Sequence, residues 1–245
     1  MLLDVRNHYE SRIGYFVDPK TGEAALRPPI RRFSQWPQYV KKYMTGAEAQ
    51  DEKGGRQIMT YCTGGIRCEK GARWMEENME KREGDSVCTL KGGIAAYMAW
   101  MDDEIRLGKK RPEDSLFKGK NYVFDARGST GLEGDGLTHP VSSCHVCGRP
   151  EDRLSKCQSK GCHLILVVCE ACESTHPRCC QNCHKLDVSA SIPSAGKASR
   201  PICECERQRE ALLWGSDRLK GKKQKQSKRE SAGGIEIQVK VIGDP

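Results

Sequence analysis

Arg56-Gln57-Ile58-Met59-Thr60-Tyr61 runs straight into Cys62-Thr63-Gly64-Gly65-Ile66-Arg67, and the residues on either side alternate apolar runs with helical periods. Arg56 to Tyr61 is a compact apolar strand. From Cys68 to Lys81 the residues Ala72, Met75 and Met79 recur on one helical face. Upstream, Leu2-Leu3-Asp4-Val5-Arg6 is a buried-strand run, and downstream Ser86-Val87-Cys88-Thr89-Leu90 is another. Gly92-Gly93 breaks the chain before a helical run from Ile94 to Trp100. Strands alternating with helices predict an α/β layered domain on a parallel sheet. Residues 18 to 37, rich in Pro and Arg, read as irregular surface. Pro37 to Met44 reads as a short amphipathic helix through Tyr39, Val40 and Tyr43.

Chemistry is expected at the same junction. A loop between a strand and a helix aims backbone N–H groups and the positive end of the helix dipole at one point. Cys62 stands there, and such a site stabilises the thiolate, the form that attacks. Gly64 and Gly65 let several amides converge on an anion. Arg67 adds a charge suited to an anion on the sulfur. Cys62 is therefore the candidate nucleophile, and Thr63, Gly64, Gly65, Ile66 and Arg67 form its anion-binding loop. The competing explanation is a structural cysteine before a tight turn.

The 245 residues suit one or two domains, and the formal net charge of +8 favours acidic partners such as RNA, with a solvated surface and a basic tail as the plainer explanation. No secretory signal opens the chain and no apolar run approaches the roughly 20 residues that span a bilayer. Of fourteen cysteines, eleven crowd between Cys144 and Cys205. Clustered pairs without a secretion signal point to metal in a reducing compartment rather than to disulfides.

The spacing is Cys144-x2-Cys147, Cys157-x4-Cys162, Cys169-x2-Cys172 and Cys179-Cys180-x2-Cys183. One CxxC knuckle offers two thiolates to a tetrahedral ion, and two complete it, so four pairs fit two closed structural zinc sites. An interleaved arrangement places Cys144, Cys147, Cys169 and Cys172 in one site and Cys157, Cys162, Cys180 and Cys183 in the other; a sequential one is the alternative. Cys179 competes with Cys180, and His145, His163 and His184 are candidate substitutes for a sulfur. The block has few large apolar residues, so metal would supply most of its folding free energy. Cys203-x-Cys205 is left unassigned.

Tyr61-Cys62-Thr63-Gly64-Gly65-Ile66-Arg67-Cys68-Glu69-Lys70 resembles the rhodanese-like tRNA uridine 5-hydroxylase family. Leu3 to Glu10 with Arg12-Ile13-Gly14, Leu90-Lys91-Gly92-Gly93-Ile94 and Val123-Phe124-Asp125-Ala126-Arg127 are similar to further blocks of that family, which also carries a Cys-rich segment after them. The resemblance covers about residues 2 to 186. It implies a Cdc25-like α/β sandwich with Cys62 as the essential cysteine, and oxygen-dependent conversion of a tRNA wobble uridine to 5-hydroxyuridine. Molecular oxygen is then a co-substrate and tRNA the partner. Asp4, Arg6 and Glu10 fall on positions that stabilise the fold, with Arg6 and Glu10 expected as a structural ion pair. Cys68 also falls on a family position, where it either resolves an oxidised or persulfidated Cys62 or packs in the helix. Family members carry an N-terminal domain and a first strand ahead of the Leu-Asp-Val-Arg block, which predicts that this chain is N-terminally truncated and lacks its first strand.

The expected organisation is a rhodanese domain over 1–107, a linker over 108–139, a zinc-binding module over 140–186 and a mostly disordered basic tail over 187–245. Three functions compete: a hydroxylase working through Cys62, a sulfurtransferase carrying a Cys62 persulfide drawn from a sulfane-sulfur donor, and a non-catalytic zinc-bearing adaptor. Arg218 to Arg229 holds seven basic residues and no acidic one, a candidate phosphate contact or nuclear address. The expected location is cytoplasmic, or organellar such as the plastid if an upstream segment carried a transit peptide.

Overall fold

The computed structural model describes residues 1–44, 55–80, 83–132, 138–159, 162, 164–183, 185, 203–214 and 240–242. In chain order these form β1 (Leu2–Asp4), β2 (Gly14–Phe16), α1 (Trp36–Tyr43), β3 (Gln57–Tyr61), α2 (Ile66–Asn78), β4 (Ser86–Leu90) and α3 (Gly93–Arg106). There follow β5 (Phe117–Gly119), β6 (Asn121–Tyr122), β7 (Ser129–Thr130), β8 (Leu154–Lys156), β9 (Ile165–Val167), α4 (Glu170–Glu173), α5 (Glu204–Trp214) and β10 (Lys240–Ile242). The main sheet has the order β1-β3-β4-β10 with parallel neighbours throughout. Its register sets Leu3 opposite Thr60 and Ile58 opposite Val87.

Helices cover both faces, so the interior strands bury residues on each side. Leu3, Val5 and Ile58 turn toward α1 and α2, where they meet Trp36, Val40, Cys68 and Met75. Tyr61 turns the other way, to a cluster with Phe16, Ile94, Met98 and Phe117. Burying one such large side chain contributes about 1.5–3 kcal/mol. The α1–α2 contact is close because Gly71 has no side chain: the Trp36 indole N–H donates to its carbonyl at 3.3 Å, and a Cβ on Gly71 would meet that nitrogen at 3.0 Å.

The helices run differently from their apolar periods. Helix α2 starts two residues before the expected Cys68, because Gly65 caps it with a φ of 91°. Helix α3 runs to Arg106 rather than Trp100, since Met101 extends its buried face past Ile94 and Met98. The segment from 18 to 37 has no strand or α-helix of its own before Trp36, yet Ala25 and Ile30 are buried, so it covers the core as well as facing solvent.

The expected linker is packed in its first half. Phe117, 4% exposed, draws β5 into an antiparallel pair with β2, and β6 and β7 form a hairpin immediately after it. The expected disordered tail also contains structure: α5 and β10 both lie in it, with β10 pairing β4 through Val241 and Thr89. The basic run 218–229 lies outside the described residues. Among the described residues no helix is long and apolar enough to cross a membrane.

Candidate active site and thiolate clusters

Cys62 ends β3 and is 1% exposed. The four-residue turn Cys62-Thr63-Gly64-Gly65 leads into α2, and the Gly65 N–H donates to the Cys62 sulfur at 3.2 Å. Helix α3 closes the loop from the other side: the Ile94 and Ala95 amides donate to the carbonyls of Cys62 and Thr63 at 2.9 and 3.0 Å. That approach requires Gly93, whose φ is 64° and whose Cβ would lie 2.4 Å from the Cys62 carbonyl oxygen.

Cys68, one turn into α2 and fully buried, places its Sγ 3.6 Å from that of Cys62. The Cys68 S–H donates to the Gly65 carbonyl at 2.9 Å, and its sulfur also stands within hydrogen-bond reach of the Cys62 sulfur. The Cys68 hydrogen bond, working against burial, and then the helix amides and the charge of Arg67 lower the Cys62 pKa to about 6. The same pairing pushes Cys68 far up. One thiolate and one thiol therefore share the site at neutral pH.

Arg67 does not point a free charge at the sulfur. Its Nη1 and Nη2 bind the Glu10 carboxylate at 2.7 and 2.6 Å, and Glu10 is fully buried. The expected Arg6–Glu10 ion pair is not formed. Arg6 instead binds Asp4, with Nη2 to Oδ2 at 2.7 Å, and donates to the Gly14 carbonyl. The physical reason is position: Asp4 and Arg6 lie on the same short segment, whereas Glu10 is carried around a turn to the start of α2. Thr63 bridges the two halves, its hydroxyl 3.4 Å from both Glu10 Oε1 and the Tyr122 carbonyl. Ile66, the remaining loop residue, is 67% exposed and Gly64 lies at the rim, so neither contacts the sulfur in the way Gly65 does.

The β6–β7 hairpin stands beside this loop. Tyr122 packs edge-on against Tyr9 and Phe124, and the Arg67 guanidinium lies 5.6 Å from the Phe124 ring centre. Phe124 is 66% exposed. An exposed aromatic ring held against a cation leaves its other face free for a planar group to stack on. From sequence alone Tyr122 and Phe124 have no role at the site and Gly93 only that of a chain break, although Phe124 and Gly93 lie in the quoted Val123–Arg127 and Leu90–Ile94 blocks; the alternating aromatics Tyr122 and Phe124 were the available signal.

The Cys-rich block is organised by the β8–β9 hairpin and α4. The sulfurs of Cys144, Cys147, Cys169 and Cys172 all lie within 4.8 Å of one another, with Cys147 and Cys169 at 3.7 Å. An ion with 2.3 Å bonds to four tetrahedral sulfurs needs an S–S edge of about 3.8 Å, so this donor set fits a divalent ion. In the second set Cys179, not Cys180, joins Cys157, Cys162 and Cys183. The reason is direction: the two neighbours point differently, and the Cys179 sulfur lies 3.8 Å from Cys162 and 3.3 Å from Cys183. Cys180 falls in an overlapping set with Cys179, Cys183 and Cys203. The His145 ring is occupied by the Arg178 carbonyl at 3.0 Å; His163 and His184 lie outside the described residues.

Residues 118–184, from β5 through the last cysteine knuckle, match the Rhodanase C-terminal family. The chain is 34% identical to the tRNA uridine(34) hydroxylase of Leptospira interrogans over 180 residues, 74% of this chain and 42% of the relative. It is 35% identical to the tRNA uridine(34) hydroxylase of Salmonella heidelberg over 203 residues, 82% of this chain and 50% of the relative. The chain belongs to this rhodanese-like family. It spans about half the length of the curated family members it matches. No solved structure matches the chain significantly.

Proposed function

We propose that the chain hydroxylates C5 of a tRNA wobble uridine, with Cys62 as the reacting thiolate and Cys68 as its redox partner. The observation that carries this is the 3.6 Å separation of the two sulfurs in a loop that depresses one pKa and raises the other. Uracil C6 is the electron-poor end of an unsaturated carbonyl, and addition of the Cys62 thiolate there makes C5 nucleophilic. Replacing the C5 hydrogen by hydroxyl with one O2 takes two electrons more than the uridine supplies. Two thiols supply them: the C5–H, O2 and two S–H groups become C5–OH, water and one disulfide.

The remaining residues position the substrate. Gly65 and the first amides of α2 hold negative charge on the sulfur, and Gly93 lets α3 fix the loop's carbonyls. Glu10 holds Arg67 in place beneath Phe124, and Phe124 stacks a base of the anticodon loop. The net charge of +8 draws the tRNA, with the run 218–229 as a further phosphate contact. Because Cys62 is buried, the loop opens for the base to enter, and an extruded single-stranded base is what such a site admits.

The cysteine block is a structural zinc module, with one ion held by Cys144, Cys147, Cys169 and Cys172. Sulfurtransfer is the weaker reading. A persulfide on Cys62 would stand within reach of the Cys68 thiol, which would form the Cys62–Cys68 disulfide and expel the outer sulfur as hydrogen sulfide rather than hold it for an acceptor. The family kinship and intact Cys62 loop also weigh against a purely adaptor role.

The test is incubation of the full chain with unmodified tRNA in air and a thiol reductant, followed by weighing of the digested nucleosides. Uridine heavier by one oxygen, lost in Cys62→Ser, supports the proposal. Unchanged uridine together with thiosulfate-dependent sulfur transfer would replace it by the sulfurtransferase reading.

A further inference from the structure

Cys203 and Cys205 lie far in sequence from the four cysteine pairs, yet both reach the second thiolate cluster. Cys203 Sγ is 3.7 Å and Cys205 Sγ 3.2 Å from Cys179 Sγ, and Cys203 is buried. Two four-sulfur sets overlap there: Cys157, Cys162, Cys179 and Cys183, and Cys179, Cys180, Cys183 and Cys203. They share Cys179 and Cys183, whose sulfurs are 3.3 Å apart. A single ion would take four of these sulfurs and leave two more buried or half-buried thiols crowded against its ligands.

We propose that this cluster is binuclear: Cys179 and Cys183 bridge two zinc ions, one completed by Cys157 and Cys162, the other by Cys180 and Cys203. A thiolate sulfur has lone pairs enough to bind two ions, and six thiolates sharing two bridges give each ion four sulfurs. The distances suit this. Cys179 lies 3.8 Å from Cys162, 4.0 Å from Cys180 and 3.7 Å from Cys203, all close to the ~3.8 Å tetrahedral edge. Two ions each 2.3 Å from both ends of the 3.3 Å shared edge stand about 3.2 Å apart.

The second ion of the pair has a mechanical consequence. Cys203 immediately precedes α5, so the ion fastens that helix to the module. On α5, the buried Glu206 is paired with Arg209 and lies 3.6 Å from Arg31 of the sheet domain. The cluster thus ties α5 to the module, and the Glu206–Arg31 pair in turn ties α5 to the surface beside α1.

This inference rests on the block being a zinc module, and the experiment separates the two. Full chain purified under reducing conditions is weighed by native mass spectrometry, and its zinc absorption edge is analysed for a metal–metal vector. The expected result is three zinc ions per chain and a zinc–zinc distance near ~3.2 Å, with Cys203→Ser and Cys180→Ser each falling to two ions. Two ions per chain with no zinc–zinc vector would overturn the binuclear cluster and leave the simple zinc module standing. A chain without metal would overturn both.

Discussion

Glu10 and Arg67, 57 positions apart, form a two-pronged ion pair at 2.6 and 2.7 Å beneath the nucleophile loop. Glu10 is fully buried and Arg67 mostly so, which makes the pair unequal in its sensitivity to change. Arg67→Met would leave a buried carboxylate uncompensated. We expect it to destabilise the fold by about 3–5 kcal/mol, because breaking a buried pair costs more than the pair contributes. Urea unfolding of the two proteins measures the difference. A loss under ~1 kcal/mol would show that Glu10 finds another partner or that water reaches it.

The Cys62 pKa is readable by alkylation. With its pKa lowered to about 6, Cys62 reacts with iodoacetamide at a rate that rises through pH 6 and is flat by pH 8. Cys68→Ala removes the largest cause of the shift, so the rise moves toward the ordinary thiol range of about 8.5. Peptide mass spectrometry over a pH series distinguishes the two curves. A thiol whose folded pKa is depressed contributes stability in full above its unfolded pKa, and that contribution is lost as pH falls through about 6. Cys62→Ser should flatten that part of the pH–stability profile.

Phe124 offers a test of the stacking platform without touching the sulfur. Phe124→Ala should weaken tRNA binding by about 1–3 kcal/mol, the range for loss of one base–aromatic stack. Its Cys62 alkylation curve should match that of the unmutated chain. Filter binding at fixed salt measures the first, and an unchanged affinity would remove Phe124 from the interface.

Chelation should act on one part of the molecule. The cysteine block has a hairpin, a short helix and little apolar core, so we expect its folding to depend on metal. The sheet domain has two clusters of its own on either side of β3. Hydrogen exchange after zinc removal should show lost protection over 144–183 and in α5, with β1, β3 and β4 protected as before. Loss of protection in β3 would mean that the module holds the sheet domain together.

Much of this site was legible in local sequence, and the failures have a common cause. Gln57 to Tyr61 and Ser86 to Leu90 are strands set by their own apolar side chains, and the Gly-rich turn between β3 and α2 is local as well. Arg6 and Glu10, four positions apart, invited pairing, but only the folded chain shows that Asp4 takes Arg6 and that α2 delivers Arg67 to Glu10. Cys179 and Cys180 are adjacent, so spacing alone does not say which one faces Cys162. Helix α5 and β10 escaped notice because charged and polar residues surround them, and their places are fixed by partners distant in sequence: the thiolate cluster and, more than a hundred residues away, Arg31 and β4. The packing of Phe117 on β2 was hidden for the same reason, inside a stretch whose charge reads as a linker.

If Cys62 and Cys68 act together on uridine, a single-turnover reaction shows it. Reduced chain, freed of external thiol, is mixed with excess unmodified tRNA under oxygen-18 gas, and both tRNA and protein are weighed after digestion. The expected products are one 5-hydroxyuridine per chain carrying one oxygen-18 atom and, in equal amount, a disulfide linking Cys62 to Cys68, both absent in Cys68→Ser without added thiol. Hydroxylated uridine formed with the two cysteines still reduced, or an unchanged uridine in the presence of intact Cys62, would contradict their joint action.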